Sequence, residues 1–211
     1  MHRSRALQFA VYATAATCAW NGFAGSTAIV TGVHIGSLAL GAFGLEATID
    51  AAASGFLAWR FQVERSAPRR GDRLEHLAQR GIALALLAAG SYVAVRSVIA
   101  LAASGAVERS AFAVAVAIAS LLVLPILAIV KLRLARQLGS RALRGDGILT
   151  AAGSGLALTT LAGYVANHDL HVWWGDPLAA LLIAAFLLRE GSTTYRRAKK
   201  APTSVDSTAG G

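Results

Sequence analysis

The sequence predicts an all-α membrane protein: a bundle of six transmembrane helices with the N- and C-termini in the cytoplasm. Only 15% of its 211 residues are charged, whereas a soluble domain has about 25%. Uncharged stretches long enough to cross a bilayer recur along the chain, and Lys and Arg cluster between alternate stretches. Strands are a poor alternative, because the apolar runs are rich in Ala and Leu and do not alternate.

The apolar runs between charge clusters define the six helices in order. Residues 6–45 contain no Lys, Arg, Asp or Glu, which is enough for nearly two crossings at about 20 residues each. Asp176 and Pro177 predict an N-cap followed by proline at the start of the sixth helix. The predicted spans are residues 7–30, 34–59, 81–103, 112–132, 147–166 and 177–188.

The positions of the basic residues predict the orientation. All but two of the 20 Lys and Arg residues lie in the N-terminal segment, the second-to-third connection, the fourth-to-fifth connection or the C-terminal segment. The exceptions are Arg96, inside the third span, and Arg109, on the opposite side. Because basic residues favour the cytoplasmic side, both termini are expected there.

The same distribution limits the classes of function. The net charge of +9 follows the topology and suits contact with anionic lipid of the bilayer, so no nucleic-acid partner is expected. There is no Gly-rich phosphate loop, cysteine pair or convincing Ser-His-Asp set, so the chain is not expected to be an enzyme. Residues 1–200 are predicted to form one six-span transporter-like domain, and residues 201–211 a disordered tail.

Three ionisable residues lie well inside predicted spans, away from their ends, where each needs a partner or a water-filled cavity. Glu46 and Asp50 are one helical turn apart on one face of the second span. Two such carboxylates repel each other unless one is protonated or a cation lies between them, which predicts a cation or proton site. The alternative is a buried ion pair with Arg96 that joins the second and third spans.

Two further groups are weaker candidates. Asp146 and Thr150 share a face of the fifth helix, where Asp146 either contributes to the site or caps the helix. On the outer side, His168, Asp169 and His171 could bind a transition metal, or they could be a solvated loop in which these residues fall together by chance.

Several segments resemble the cation diffusion facilitator family of cation efflux transporters. Residues 44–50, GLEATID, resemble its second span, which carries two acidic residues four apart. Residues 138–146 are similar to its small-residue turn before the fifth helix. Residues 173–181 and 189–191 look like the entry and exit of its sixth helix. The ordered set covers nearly the whole chain.

The resemblance implies export of a divalent metal, commonly zinc, in exchange for protons, and a homodimer. It also implies a tetrahedral site in which Glu46 and Asp50 supply the acidic pair of the second span. The family's His-x-x-x-Asp pair on the fifth span falls on Leu149 and Gly153, which cannot bind a metal through their side chains.

Two hypotheses therefore stay open. The first is a divergent, proton-coupled efflux transporter of the bacterial inner membrane. It would carry zinc or a similar divalent cation without a permanently bound cofactor, and Asn21 or Thr150 would complete its site. The second is a non-transporting scaffold or partner subunit that keeps the transporter fold.

Overall fold

Six α-helices make up the part of the chain that the computed structural model describes, residues 2–64, 71–103, 110–168 and 172–200. No strand occurs in these residues, so the predicted all-α fold is confirmed. The predicted tail, 201–211, lies outside the described residues. The helices are α1 (His2–Ile35), α2 (Leu38–Glu64), α3 (Gly71–Ala103), α4 (Ala111–Leu138), α5 (Arg141–His168) and α6 (Gly175–Lys200).

Four of these helices contain segments long and apolar enough to cross a membrane: Arg80–Ala102, Ala111–Leu138, Ala142–Ala166 and Gly175–Arg196. On α4, Leu122 and Ile126 are 65% and 64% exposed, as expected of side chains that face lipid. α1 and α2 fall outside this group. The mean hydropathy of α1 is lowered by its many Gly, Ser and Thr residues. That of α2 is lowered by the carboxylates of Glu46 and Asp50.

Two helix hairpins close with the same Gly-Ser turn. Gly36 ends α1 and Gly139 ends α4, both with a left-handed backbone (φ 72° and 65°) that glycine adopts without strain. Each following serine, Ser37 or Ser140, accepts a hydrogen bond from the backbone N–H three residues on and so caps the next helix. The small-residue turn predicted before the fifth helix is therefore present.

The two hairpins are inverted relative to each other. Helices α2 and α5 run antiparallel: Thr160 reaches Ala39 at one end, and Asp146 reaches Ser54 at the other. The two Gly-Ser turns therefore lie at opposite ends of the bundle, as in the inverted repeats of many transporters. Counted from these turns, Leu149 and Gly153 of the second hairpin fall at the positions of Glu46 and Asp50 in the first.

Small residues bring α1 and α2 into backbone contact. A Cβ atom added to Gly25 would lie 2.6 Å from Thr48 Oγ1 and 3.0 Å from Gly44 O, and one added to Gly44 would lie 2.7 Å from Ile29 N. Small residues at such contacts allow close helix packing in membranes. One turn from Gly25, this approach brings Asn21 of α1 beside Asp50 of α2.

The structure corrects the predicted placement of Lys131, Asp146 and Asp176. α4 continues to Leu138 and α5 begins at Arg141. Lys131, counted with the basic residues of the fourth-to-fifth connection although it lies at the end of the predicted span 112–132, is therefore well inside α4. Asp146 lies inside α5 rather than at its start. The prediction that Asp176 caps its own helix is wrong. Its carboxylate accepts hydrogen bonds from Leu38 N (2.7 Å) and Ala39 N (3.3 Å), and therefore caps the start of α2.

Candidate functional site

Glu46 and Asp50 are buried in the middle of the bundle, 2% and 1% exposed, on the face of α2 that meets α5. The Glu46 carboxylate lies against Gly153: a Cβ atom added to this glycine would be 3.5 Å from Oε2 and 3.8 Å from Oε1. The position that the resemblance assigns to an aspartate therefore faces Glu46. Glycine leaves that space to Glu46.

Asp50 is held by two neutral donors from two other helices. Asn21 Nδ2 donates to Asp50 Oδ2 over 2.6 Å, and Thr150 Oγ1 donates to the same oxygen over 3.1 Å. Asp50 of α2 and Thr150 of α5 lie on the faces through which these two helices pack together. The sequence candidates Asn21, Asp50 and Thr150 are thus brought into one site.

A buried ammonium adjoins this site. Lys131 of α4 is 0% exposed and forms an ion pair with Asp146 Oδ2 over 2.6 Å. Its Nζ also donates to Ser54 Oγ and Thr150 Oγ1, each over 2.9 Å, and Ser54 Oγ donates to Asp146 Oδ1 over 2.8 Å. These contacts connect α2, α4 and α5. We call the four residues that make them the lysine network: Lys131, Ser54, Asp146 and Thr150.

Three buried oxygens of the site have no hydrogen-bond partner among the described residues: Glu46 Oε1, Asp50 Oδ1 and Asn21 Oδ1. A buried acceptor without a donor costs about 1–3 kcal/mol, and more when it is charged. A cation or protons at the carboxylates would compensate this cost. The site is therefore suited to a positively charged guest.

The net charge of the buried groups determines how much positive charge a bound cation must carry to neutralise the site. Glu46, Asp50 and Asp146 carry three negative charges when ionised, and Lys131 carries one positive charge. The excess of two negative charges is costly in a region of low polarity unless it is neutralised. One divalent cation or two protons would neutralise it.

Arg96 is not the cation of this site. Its side chain is exposed on α3, and no hydrogen bond or ion pair with Glu46 or Asp50 is recorded. The alternative of an ion pair between Arg96 and the acidic pair is therefore wrong, because that part of α3 turns outward. The buried cation is Lys131, which sequence reasoning counted with the basic residues of a connection.

A signal for Lys131 is present in the sequence. It continues a row of mostly small residues on the buried side of α4, at spacings of three and four residues. The members of this row are Ala117, Ser120, Leu124, Ala128, Lys131 and Ala135. A lysine in such a row faces the helix neighbours rather than solvent.

The remaining candidates are placed as follows. Asp146 lies in the second turn of α5 and pairs with Lys131, while Ser140 caps that helix. The interpretation of Asp146 as the cap is therefore wrong. His168 is the last residue of α5, and Asp169 and His171 lie outside the described residues. Within the described ranges, no three His, Cys, Asp or Glu side chains are grouped to hold a metal.

Comparison with protein families identifies the family of the chain's transmembrane region. The profile of the cation efflux transmembrane domain matches residues 14–201, from the middle of α1 to the end of α6. The match confirms the resemblance found in the ordered sequence segments. No curated protein matches the chain.

Proposed function

Because this chain belongs to the cation efflux family, a family of membrane transporters, we propose that it exports a divalent metal cation in exchange for protons. The observation that carries this proposal is the buried pair Glu46 and Asp50, whose free oxygens Oε1 and Oδ1 have no donor among the described residues. Ionisable groups in this position are costly and are typical of ion and proton pathways.

The chemistry of the site favours a hard cation. The oxygens available as metal ligands are those of the Glu46 and Asp50 carboxylates and of the Asn21 amide. Carboxylate and carbonyl oxygens suit Mg²⁺ and Mn²⁺, whereas zinc prefers sites that include His or Cys. Leu149 and Gly153 supply neither. We therefore propose Mn²⁺ or a cation of similar hardness as cargo, ahead of the zinc that the resemblance implies.

Proton coupling would arise at the same carboxylates. A proton on Glu46 or Asp50 removes the negative charge that attracts the cation, so protons and cation compete for the site. A fall in pH should weaken cation binding, and a rise should strengthen it. Protons arriving from the outer side would then release the cargo there.

The membrane arrangement is part of the proposal. α1 and α2 are 34 and 27 residues long, more than the roughly 20 residues that span a bilayer, and they pack together through the glycines described above. With them the bundle has six spans, and the positive-inside rule places both termini in the cytoplasm of a bacterial inner membrane. A homodimer, as the resemblance implies, is proposed on that basis alone.

Transport into sealed vesicles tests the proposal. The full chain would be reconstituted in proteoliposomes, and uptake of Mn²⁺, Zn²⁺, Co²⁺, Cd²⁺ and Fe²⁺ measured with and without a proton gradient. We expect gradient-dependent uptake with a preference for Mn²⁺. The double variant Glu46→Gln, Asp50→Asn should lose it, and Arg133→Met, an exposed change on α4, should keep it. Equal uptake by the double variant and the wild type would contradict the site.

A second candidate function is supported by the lysine network. The ion pair of Lys131 and Asp146, buried between α2, α4 and α5, neutralises part of the site without a guest. A scaffold or partner subunit would keep the fold with this ion pair and with protons in place of a metal cation at Glu46 and Asp50. The absence of uptake of every ion in the same vesicles would favour the scaffold.

A further inference from the structure

The ammonium of Lys131 lies in a cage of three oxygens. Lys131 Nζ donates hydrogen bonds to Ser54 Oγ and Thr150 Oγ1, each over 2.9 Å. The third oxygen, Asp146 Oδ2, forms the ion pair with Nζ at 2.6 Å. The side chain is fully buried. The cage is thus already filled by a cation that is part of the protein, the side chain of a residue of α4.

This cage shares a ligand with the candidate cation site. The Thr150 hydroxyl accepts from Lys131 and lies 3.1 Å from Asp50 Oδ2, so a single hydroxyl separates the ammonium from the carboxylate. A positive charge one hydroxyl away from Asp50 repels a cation bound there, and the repulsion is strong where water is excluded. A cation that recruited Thr150 or Asp146 would have to displace the ammonium.

We propose that Lys131 is a tethered competitor of the transported cation and sets the affinity of the site. With Lys131 in its cage, Asp146 and Thr150 are withheld, and only Asn21, Glu46 and Asp50 are left to bind the guest. This keeps binding weak enough for release, and it selects a cation that needs few protein ligands. The inference rests on the proposed function, since it concerns the cation of the same site.

The inverted hairpins explain why a competitor is needed here. Leu149 and Gly153, at the positions that mirror Glu46 and Asp50, contribute no charge. The only acidic group of α5 that faces the site is Asp146, and Lys131 holds it. Without Lys131, Asp146 and Thr150 would join Asp50 and complete a site built from both hairpins.

Binding of Mn²⁺ alone tests the inference. The full chain in lipid nanodiscs would be titrated with Mn²⁺, and free Mn²⁺ read by electron paramagnetic resonance. We expect Lys131→Met to bind about tenfold more tightly than wild type, or better, because a repelling charge is removed and two ligands are freed. Lys131→Arg, which keeps the charge, should stay near wild type. So should Arg133→Met, which removes an exposed charge from the same helix.

Folding of the variants is controlled separately. Lys131→Met leaves Asp146 without its buried partner, which destabilises the protein. If thermal unfolding shows that this variant does not fold, Lys131→Gln, whose amide can still donate to neighbouring oxygens, takes its place with the same expected gain. Adding Glu46→Gln and Asp50→Asn to either variant should abolish the gained binding and so locate it.

The outcomes separate this inference from the proposed function. Wild-type binding that is no tighter in Lys131→Met or Lys131→Gln would overturn the competitor and leave the Glu46–Asp50 site standing. Binding in those variants but none in wild type would support the competitor and contradict transport by the natural protein. No binding in any of them would overturn both.

Discussion

Thr150 is the residue on which the two halves of the site meet. Its hydroxyl accepts from Lys131 and approaches both Asp50 Oδ2 and the carbonyl of Asp146, the latter over 3.0 Å. Valine has nearly the same shape but no hydroxyl, so a Thr150→Val change leaves a buried ammonium and a buried carboxylate each short of a partner. We expect the free energy of unfolding to fall by about 1–3 kcal/mol.

Thr159→Val is the matched control on the same helix. Within the described part of the chain, the Thr159 hydroxyl bonds only to the carbonyl of Gly155, one turn earlier on α5. Its removal should change stability by less than about 0.5 kcal/mol. Detergent-induced unfolding followed by circular dichroism measures both variants. Equal losses in the two would mean that the Thr150 hydroxyl contributes nothing beyond its own helix.

The individual site residues differ in how far the sequence could predict them. Glu46 and Asp50 stand out because carboxylates in an uncharged run need an explanation. Lys131 does not stand out, because it is the first of several basic residues at the end of an apolar run, and such a stretch resembles the start of a connection. Arg96 misleads for the opposite reason. It lies in an apolar span, but only packing decides that its face turns outward.

At the scale of the helix, the contact of α1 with α2 depends on glycine. A Cβ atom on Gly25 would lie 2.6 Å from Thr48 Oγ1 and 2.9 Å from Thr48 N. Gly25→Ala should therefore force the helices apart and lower the free energy of unfolding by about 1–3 kcal/mol, as overpacking typically does. Asn21 would move with α1, so Mn²⁺ binding should weaken as well.

Gly22→Ala is the control, because a Cβ atom there would have nothing within 4 Å. Alanine is also the better helix former by about 1 kcal/mol. We expect Gly22→Ala to be neutral or stabilising by the same unfolding measurement. A Gly25→Ala protein as stable as Gly22→Ala would contradict the close approach of the two backbones.

The helices themselves were predictable, and their ends were not. Long uncharged runs fix the existence of each helix, but α4 and α5 extend past their apolar parts to the Gly139-Ser140 turn. Local capping chemistry determines those ends, and it places Lys131 and Asp146 inside the bundle. Asp176 shows the same limit: its position suggests a cap for α6, whereas its bonds go to α2.

At the scale of the whole molecule, the proposed six-span arrangement makes a prediction for each end of the chain. In a Cys18→Ala background, a cysteine at Ser4 or Ser204 should react with a membrane-impermeant maleimide only in inside-out vesicles. A cysteine at Arg109, in the connection that carries a single basic residue, should react only in right-side-out vesicles. Termini labelled from opposite sides would require an odd number of spans.

The inverted relation of the two hairpins could not be read from the sequence. Beyond the Gly-Ser turns, the halves share few side chains, and Glu46 and Asp50 of the first hairpin correspond in position to Leu149 and Gly153 of the second. The relation becomes visible only when α2 and α5 are seen to run antiparallel. It then explains why the acidic pair lies at the middle of the bundle, between the two halves.

The central claim is that Glu46 and Asp50 hold the transported cation. Anomalous X-ray diffraction from crystals soaked in Mn²⁺ tests it most directly, because the signal locates the ion itself. The account predicts an anomalous peak in contact with both carboxylates and close to Asn21, and no such peak in the Glu46→Gln, Asp50→Asn variant. A peak confined to the His168 end of α5, or one that the double variant retains, would contradict it.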